Sequence, residues 1–219
     1  MKLDGGQKKL LAVLLVVIVV IGGFFFWFEQ KKTKELAQQK KAREEARQEQ
    51  MAQVTIMGAP EVAQDRMVAY IKRRNPNTKL NCSVEELVAY YYAEGGLEGV
   101  RPDIALCQAI KETGCWAYGG DVTPEQNNYC GLGATGKKNP GASFATPQLG
   151  VRAHIQHLMV YATKDRPKYD IVDPRYEIVI EKHPEIYGQV TTWVGLNGKW
   201  AVPGKNYGQE ILEILEKVQ

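Results

Sequence analysis

The 219 residues carry 28 Lys+Arg against 25 Asp+Glu, for a net charge of +3, and 44% of them are hydrophobic and 24% charged. These proportions belong to a folded protein and exclude a wholly disordered chain, a collagen-like repeat and a disulfide-dense miniature scaffold. Lys and Glu are interspersed without an aromatic-basic stripe, which speaks against a nucleic-acid partner.

Residues 1–9 form a short N-terminal tail. Leu10–Phe28 is then a run of 19 consecutive apolar residues, which as a helix spans roughly 28 Å, about the hydrocarbon thickness of a bilayer. Lys8 and Lys9 precede it, and Trp27 stands at its far end, where an aromatic ring suits the interface. The run exceeds the apolar core of a secretory signal peptide, and no A-x-A cleavage site follows it. The expectation is one uncleaved transmembrane helix. Lys2, Lys8 and Lys9 favour an inside N-terminus, while Lys31, Lys32 and Lys34 beyond the run weaken that signal.

Residues 29–60 read as a charged stalk or linker. Glu29–Gln53 is almost wholly Gln, Glu, Lys, Arg and Ala, good helix formers with little to bury. Lys40 and Glu44 have pairing spacing, but a coiled-coil seam of apolar residues is missing. Val54–Pro60 reads as a loose hinge.

Residues 61–219 are expected to form one mainly α domain. Glu61–Asn75 carries apolar residues at helical spacing and stops before Pro76. Ser83-Val84-Glu85-Glu86 is a capping box for a helix reaching Ala93. Pro102 suits the first turn of a helix that Gly114 ends. A Gly/Pro/Asn-rich stretch occupies 119–150, longer than ordinary loops run, and such loops usually serve function. Gly150–Ala162 is again helical. Val190–Val202 reads as a short hairpin around Asn197-Gly198. Asn206 is the expected cap of a last helix bearing Ile211, Leu212, Ile214, Leu215 and Val218.

Chemistry concentrates between residues 105 and 136. Ala105, Gln108, Ala109 and Glu112 share a helix face, and the small residues leave room for a ligand to approach. A carboxylate near a helix C-terminus feels the negative end of the dipole. Partial burial raises its pKa further, as a general acid for glycoside cleavage requires. The plainer alternative is a solvated Glu in a last turn. Trp116, Tyr118, Asp121, Glu125, Gln126, Asn127, Asn128, Tyr129 and Gly131 combine aromatic platforms for sugar faces with amides for hydroxyl and N-acetyl groups. The alternative there is a loop in which Asn and Gly serve backbone geometry.

Several ordered blocks carry a resemblance. They are Gln108-Ala-Ile-Lys-Glu-Thr-Gly114, Gly119-Gly-Asp-Val-Thr-Pro-Glu-Gln-Asn-Asn-Tyr-Cys-Gly-Leu-Gly-Ala-Thr-Gly136, Pro140-Gly-Ala-Ser-Phe144, Gly150-Val-Arg-Ala-His-Ile-Gln-His-Leu158 and Lys199-Trp-Ala-Val-Pro-Gly204 with Tyr207-Gly208. Over about residues 62–217 the chain resembles the glucosaminidase family of bacterial peptidoglycan hydrolases, within the lysozyme-like superfamily. The resemblance implies a lysozyme-like helical domain with a short irregular or β lobe. It implies an endo-β-N-acetylglucosaminidase that acts on peptidoglycan glycan strands without a cofactor. It also implies that Glu112 is the general acid and that Asn128, Tyr129 and Gly131 line the cleft. Many members carry a longer, partly β lobe, some with a second acidic residue, whereas residues 137–150 here contain no Asp or Glu. Asp121 and Glu125 are then the nearest acidic candidates, with Glu125 either a base or a structural partner of its loop. The substrate's own acetamido group is a further alternative nucleophile.

His154 and His157 stand three apart on a helix without a third metal ligand at a sensible spacing, so no metal is expected. His154 and Tyr161 are candidates for the cleft wall. Trp200 and Tyr207 can stack on sugar or pack the last helix. The four cysteines allow three pairings; Cys115 with Cys130 and Cys82 with Cys107 is the expected one, and free thiols are the alternative. Together these readings describe a single-pass protein of a bacterial cell membrane with its catalytic domain outside the cytoplasm. A lytic transglycosylase and a non-catalytic cell-wall glycan-binding module are the competing functions.

Overall fold

The computed structural model describes residues 4–136, 139–201 and 204–219, with the side chains of 7, 8, 10–12 and 15–20 outside the description. The chain divides into two units, Met1–Glu49 and Gln50–Gln219. Helix α1 covers Gly5–Ala52. Within the first unit its described large apolar side chains, including Phe24, Phe25, Phe26, Trp27 and Phe28, are exposed. Among the described residues no helix is long and apolar enough to cross a membrane. Much of the expected anchor, at 10–12 and 15–20, lies outside the described side chains. Further along, Lys31 pairs with Glu35 and Lys41 with Glu45, while Glu44 takes Arg47 rather than Lys40. Exposed pairs of this kind contribute about 0.3–0.5 kcal/mol each.

The second unit is helical, and strand pairing among its described residues is limited to isolated bridges. Helix α2 covers Gln64–Arg74, α3 Val84–Glu98, α4 Pro102–Glu112, α5 Pro147–Ala162, α6 Tyr176–Lys182 and α7 Tyr207–Val218. Helix α5 is its centre. It is buried from Ala153 to Ala162 on every side, His154, Gln156 and His157 included, as expected of a helix enclosed by others. Helix α3 packs on α2, α4 and α5, and α4 packs on α7.

The capping box at Ser83 forms as expected: Ser83 Oγ accepts from Glu86 N at 3.1 Å, and Glu86 Oε2 accepts from Ser83 N at 2.8 Å. Helix α3 runs past Ala93 because Gly95 is a contact point, not a stop. A Cβ there would fall 2.8 Å from Val100 O and 2.9 Å from Pro102 Cβ. The stop is Gly99, left-handed at φ 78°, a conformation that glycine adopts without steric cost.

Three sequence expectations are corrected. Val54–Pro60 is no loose hinge: Ile56 is fully buried, its N–H donates to Thr191 O at 2.9 Å, and Met57 bridges to Val100. The hairpin around Asn197-Gly198 is replaced by a 3-10 turn at Val194–Leu196; its end at residue 202 lies outside the described residues. Asn197 Oδ1 instead accepts from Gly208 N at 2.8 Å, so Asn197 caps α7 while the Asn206 side chain makes no cap bond. Finally, Cys82, Cys107, Cys115 and Cys130 are free thiols, not disulfides. Cys107 and Cys115 face the main core beside Tyr70, whereas Cys130 packs with Leu132 and Ala153 in a separate cluster. Cys115 and Cys130 therefore point into different parts of the domain, while Cys82 and Cys107 adjoin the same core and remain unbonded.

Candidate active site

Helix α4 ends at Glu112, and the chain then makes a tight left-handed reversal. Gly114, Cys115 and Trp116 have φ of 58°, 55° and 57°, a region costly for residues with a Cβ. Outside bonds hold it there: Asn75 Nδ2 donates to Cys115 O at 2.8 Å, and Lys79 N donates to Trp116 O at 3.0 Å. The reversal sends the following loop back past Glu112, so that the two enclose a cleft of about 600 Å³. A second hollow of about 520 Å³ lies against α7 and shares Glu112 and Ala201 with the first.

Glu112 is open to solvent in this groove yet surrounded by protein on its other sides. Burial holds its carboxyl above the usual range, against the opposing effects of a hydrogen bond from Tyr207 and the charge of Lys111. Tyr207 Oη donates to Glu112 Oε1 at 2.5 Å. Lys111 is drawn off to Glu210 at 2.5 Å and lies over the Tyr207 ring.

The loop wall is built by its own amides. Gln126 Nε2 donates to Pro140 O at 2.8 Å and Ala142 O at 3.2 Å. Asn127 Nδ2 donates to Phe144 O at 2.9 Å. Asn128 gives both amide hydrogens, to Leu132 O and Ala142 O, and accepts from Leu132 N. The loop leans directly on α5, since a Cβ on Gly150 would fall 1.8 Å from Asn127 O. Gly150→Ala is therefore expected to cost about 1–3 kcal/mol by overpacking and to loosen residues 119–144. Thermal melting with limited proteolysis checks this; wild-type melting and protease resistance would refute it.

The opposite wall comes from α5 and the segment before α7. Trp200 meets His157 with ring centroids 4.9 Å apart and Tyr161 at 5.4 Å. Asp173 Oδ2, itself buried, receives His157 Nδ1 at 2.8 Å. Arg175 and Lys199 complete this side.

The structure thus brings Glu112, Tyr118, Asp121, Asn128, Gly131, Tyr161 and Trp200 to the groove, and Tyr207 to its second hollow. Several candidates stand elsewhere. Trp116 and Tyr129 are buried in the main core. Gln126 and Asn127 are spent inside the loop. Gln108 and His154 are fully buried behind Glu112. Glu125 is exposed and absent from the cleft lining, its carboxyl held below the usual range by its own N–H and the Thr123 hydroxyl. Asp173, Arg175 and Lys199 were not singled out as site residues from sequence; Asp173 and Arg175 lie in an irregular segment with no motif to mark them, and Lys199 opens a block that was read only for its Trp200. Among the described residues no group of three or more His, Cys, Asp or Glu side chains can hold a metal ion.

A helical domain with a raised carboxyl in a groove walled by aromatic rings is the arrangement of a glycoside hydrolase. The family model Glucosaminidase, described as mannosyl-glycoprotein endo-beta-N-acetylglucosaminidase, matches residues 88–219. An uncharacterized protein of Borreliella burgdorferi is 38% identical over 149 residues, covering 68% of this chain and 69% of that protein. No solved structure matches the chain. The chain belongs to the glucosaminidase family, and the domain that ends it is a glycoside hydrolase domain.

Proposed function

We propose that the protein is a peptidoglycan hydrolase that cuts the glycan strand after N-acetylglucosamine, with Glu112 as its general acid. The observation that carries this reading is the position of Glu112. Its carboxyl is raised by burial, lies between two connected hollows and has one oxygen already held by Tyr207. A strand laid through both hollows puts a glycosidic oxygen beside the free oxygen of that group.

In this mechanism the Glu112 proton passes to the leaving glycosidic oxygen as its bond to C1 breaks. The substrate's acetamido oxygen forms a bond to C1 in the same step, so that neither Glu125, which stands outside the lining, nor Asp121, which is in it, is required as a nucleophile. Water then opens that ring, and its proton returns to Glu112. Trp200, Tyr161 and His157 offer ring faces to the apolar side of a sugar, as aromatic side chains do for flat apolar surfaces. Arg175 and Lys199 suit the carboxylates of lactyl ethers and stem peptides. We further propose that residues 10–28 hold the chain in a bacterial membrane with this domain outside the cytoplasm. The uninterrupted apolar run and the exposed Phe24–Phe28 side chains support that reading, because large apolar surfaces are rarely left to water.

The test is digestion of purified peptidoglycan, with fragments weighed before and after borohydride reduction. N-acetylglucosamine reducing ends are expected. Anhydro-muramic ends would make the enzyme a lytic transglycosylase, and muramic reducing ends a muramidase. Sedimentation with the wall but no fragments would make it a binding module.

A further inference from the structure

Behind Glu112 a line of polar side chains runs through the apolar centre of the domain, one from each of four helices. Tyr91 Oη of α3 lies 2.9 Å from His154 Nδ1 of α5, and His154 Nε2 lies 2.9 Å from Gln108 Oε1 of α4. Gln108 Nε2 donates to Tyr207 Oη of α7 at 2.7 Å, and Tyr207 Oη donates to Glu112 Oε1 at 2.5 Å. Tyr91, Gln108 and His154 are fully buried, and Tyr207 is nearly so.

The direction of every link follows from counting hydrogens. Tyr207 has one hydroxyl hydrogen and gives it to Glu112, so it accepts from the Gln108 amide. The Gln108 carbonyl oxygen then faces His154 and must accept from Nε2–H. A neutral imidazole has a single N–H, which leaves Nδ1 bare to accept the Tyr91 hydroxyl hydrogen. Burial, and secondarily the neighbouring His157, keeps His154 neutral, with a pKa lowered to about 3. Run in the opposite direction, the line would have His154 Nδ1–H donate to Tyr91. The Tyr91 hydroxyl hydrogen would then have no acceptor, because His154 is its only partner among the described residues. A buried unpaired donor is costly, so the forward direction wins.

We propose that Tyr91, His154, Gln108 and Tyr207 are positioning residues whose one-way hydrogen-bond line keeps Oε1 of Glu112 occupied as an acceptor. Oε2 is thereby the oxygen that carries the transferable proton toward the groove, and Tyr91, far from the substrate, sets the polarity. The inference rests on the reading of Glu112 as the acid. The other titratable groups around the line are Lys111 on α4, Cys130, Asp121, Tyr118 and Tyr129 on the loop side, and His157 on α5. None of them interrupts it.

Tyr91→Phe tests the proposal, since it removes one hydroxyl and keeps the ring. His154 Nδ1 is then unpaired in both directions, as a bare acceptor in the forward line and as a buried donor in the reversed one, so the bias between them narrows and in part of the molecules the Glu112 proton turns toward Tyr207 and away from the substrate. The expected result is a kcat lower by about twofold with little change in KM, since at parity half of the molecules hold the proton away from the groove. The alkaline limb of the kcat profile moves upward, because the ionised carboxylate loses its donor. Nitrogen-15 NMR reads the same change directly: wild-type His154 carries its proton on Nε2, and the variant shifts it toward Nδ1. A variant with wild-type kcat, limb and tautomer overturns the proposal, and so does a wild-type His154 protonated on Nδ1, a measurement that needs no variant to fold. Glu112→Gln runs alongside. If that variant still turns over, the reading of the acid fails; if it is inactive while wild-type His154 shows Nδ1–H, the line alone fails.

Discussion

Glu112→Gln is expected to lower kcat by about 10²–10⁴-fold, the usual contribution of a positioned general acid, while the fold survives. Gln keeps the shape and the oxygen that accepts from Tyr207, and loses only the transferable proton. Stability should move the other way. Because the folded state holds this carboxyl above its usual pKa, the group's favourable contribution is complete below the unfolded pKa and is lost as pH rises through the folded one. Glu112 therefore burdens the fold at neutral pH. The Gln variant is expected to melt at the same temperature as wild type or higher at pH 7, with that advantage gone in acid. Reducing-end release and melting at both pH values check the pair of effects. An active variant, or one that melts lower only at neutral pH, would overturn them.

Asp103→Ala is expected to remove about 3–5 kcal/mol of stability, the usual effect of deleting one partner of a buried ion pair. Asp103 is fully buried near the start of α4. Its Oδ2 accepts from Glu61 N at 2.8 Å, Val62 N at 3.3 Å and Arg101 Nη2 at 2.9 Å, and its Oδ1 accepts from Ile104 N at 3.0 Å. Ala would leave those backbone groups unpaired and the buried Arg101 guanidinium with only the solvent-exposed Glu61. Urea unfolding should show a lower midpoint with an unchanged slope. A loss under about 1 kcal/mol would mean that water takes over the role of the carboxylate.

What the sequence disclosed, and what it hid, follows from how local each cause is. The Ser83 capping box, Pro102 at a helix start and Glu112 at a helix end are set by neighbours within a few residues, and they were legible. The expected end of α3 at Ala93 fell short, because Gly95 is small for Pro102, a contact made only once α3 and α4 fold together. Asn197-Gly198 looked like a hairpin turn, yet Asn197 serves a helix that starts ten residues later. The amides of the 126–128 stretch have the composition of a sugar site; only the structure shows their hydrogens committed to Pro140, Ala142, Leu132 and Phe144. His154 lay on a helix face that sequence reads as polar and groove-lining, and the enclosure of α5 by its neighbours turned that face inward. Asp173 had no mark at all, since its partnership with His157 spans an irregular segment.

The segment that enters the domain has a mechanical meaning. Ile56 N bonds Thr191 O, Trp193 N bonds Val54 O, Arg101 N bonds Ile56 O and Gly58 N bonds Gly99 O, each within 2.8–3.0 Å. Tension on the chain upstream of Met51 meets the buried Met51 side chain and then this clasp. Its load is shared between the segment at 191–193 and the N-terminal end of α4. Glu112 sits at the opposite end of that helix, roughly 16 Å along the axis. Under the proposed membrane attachment, a pull through residues 10–49 would not arrive first at Glu112.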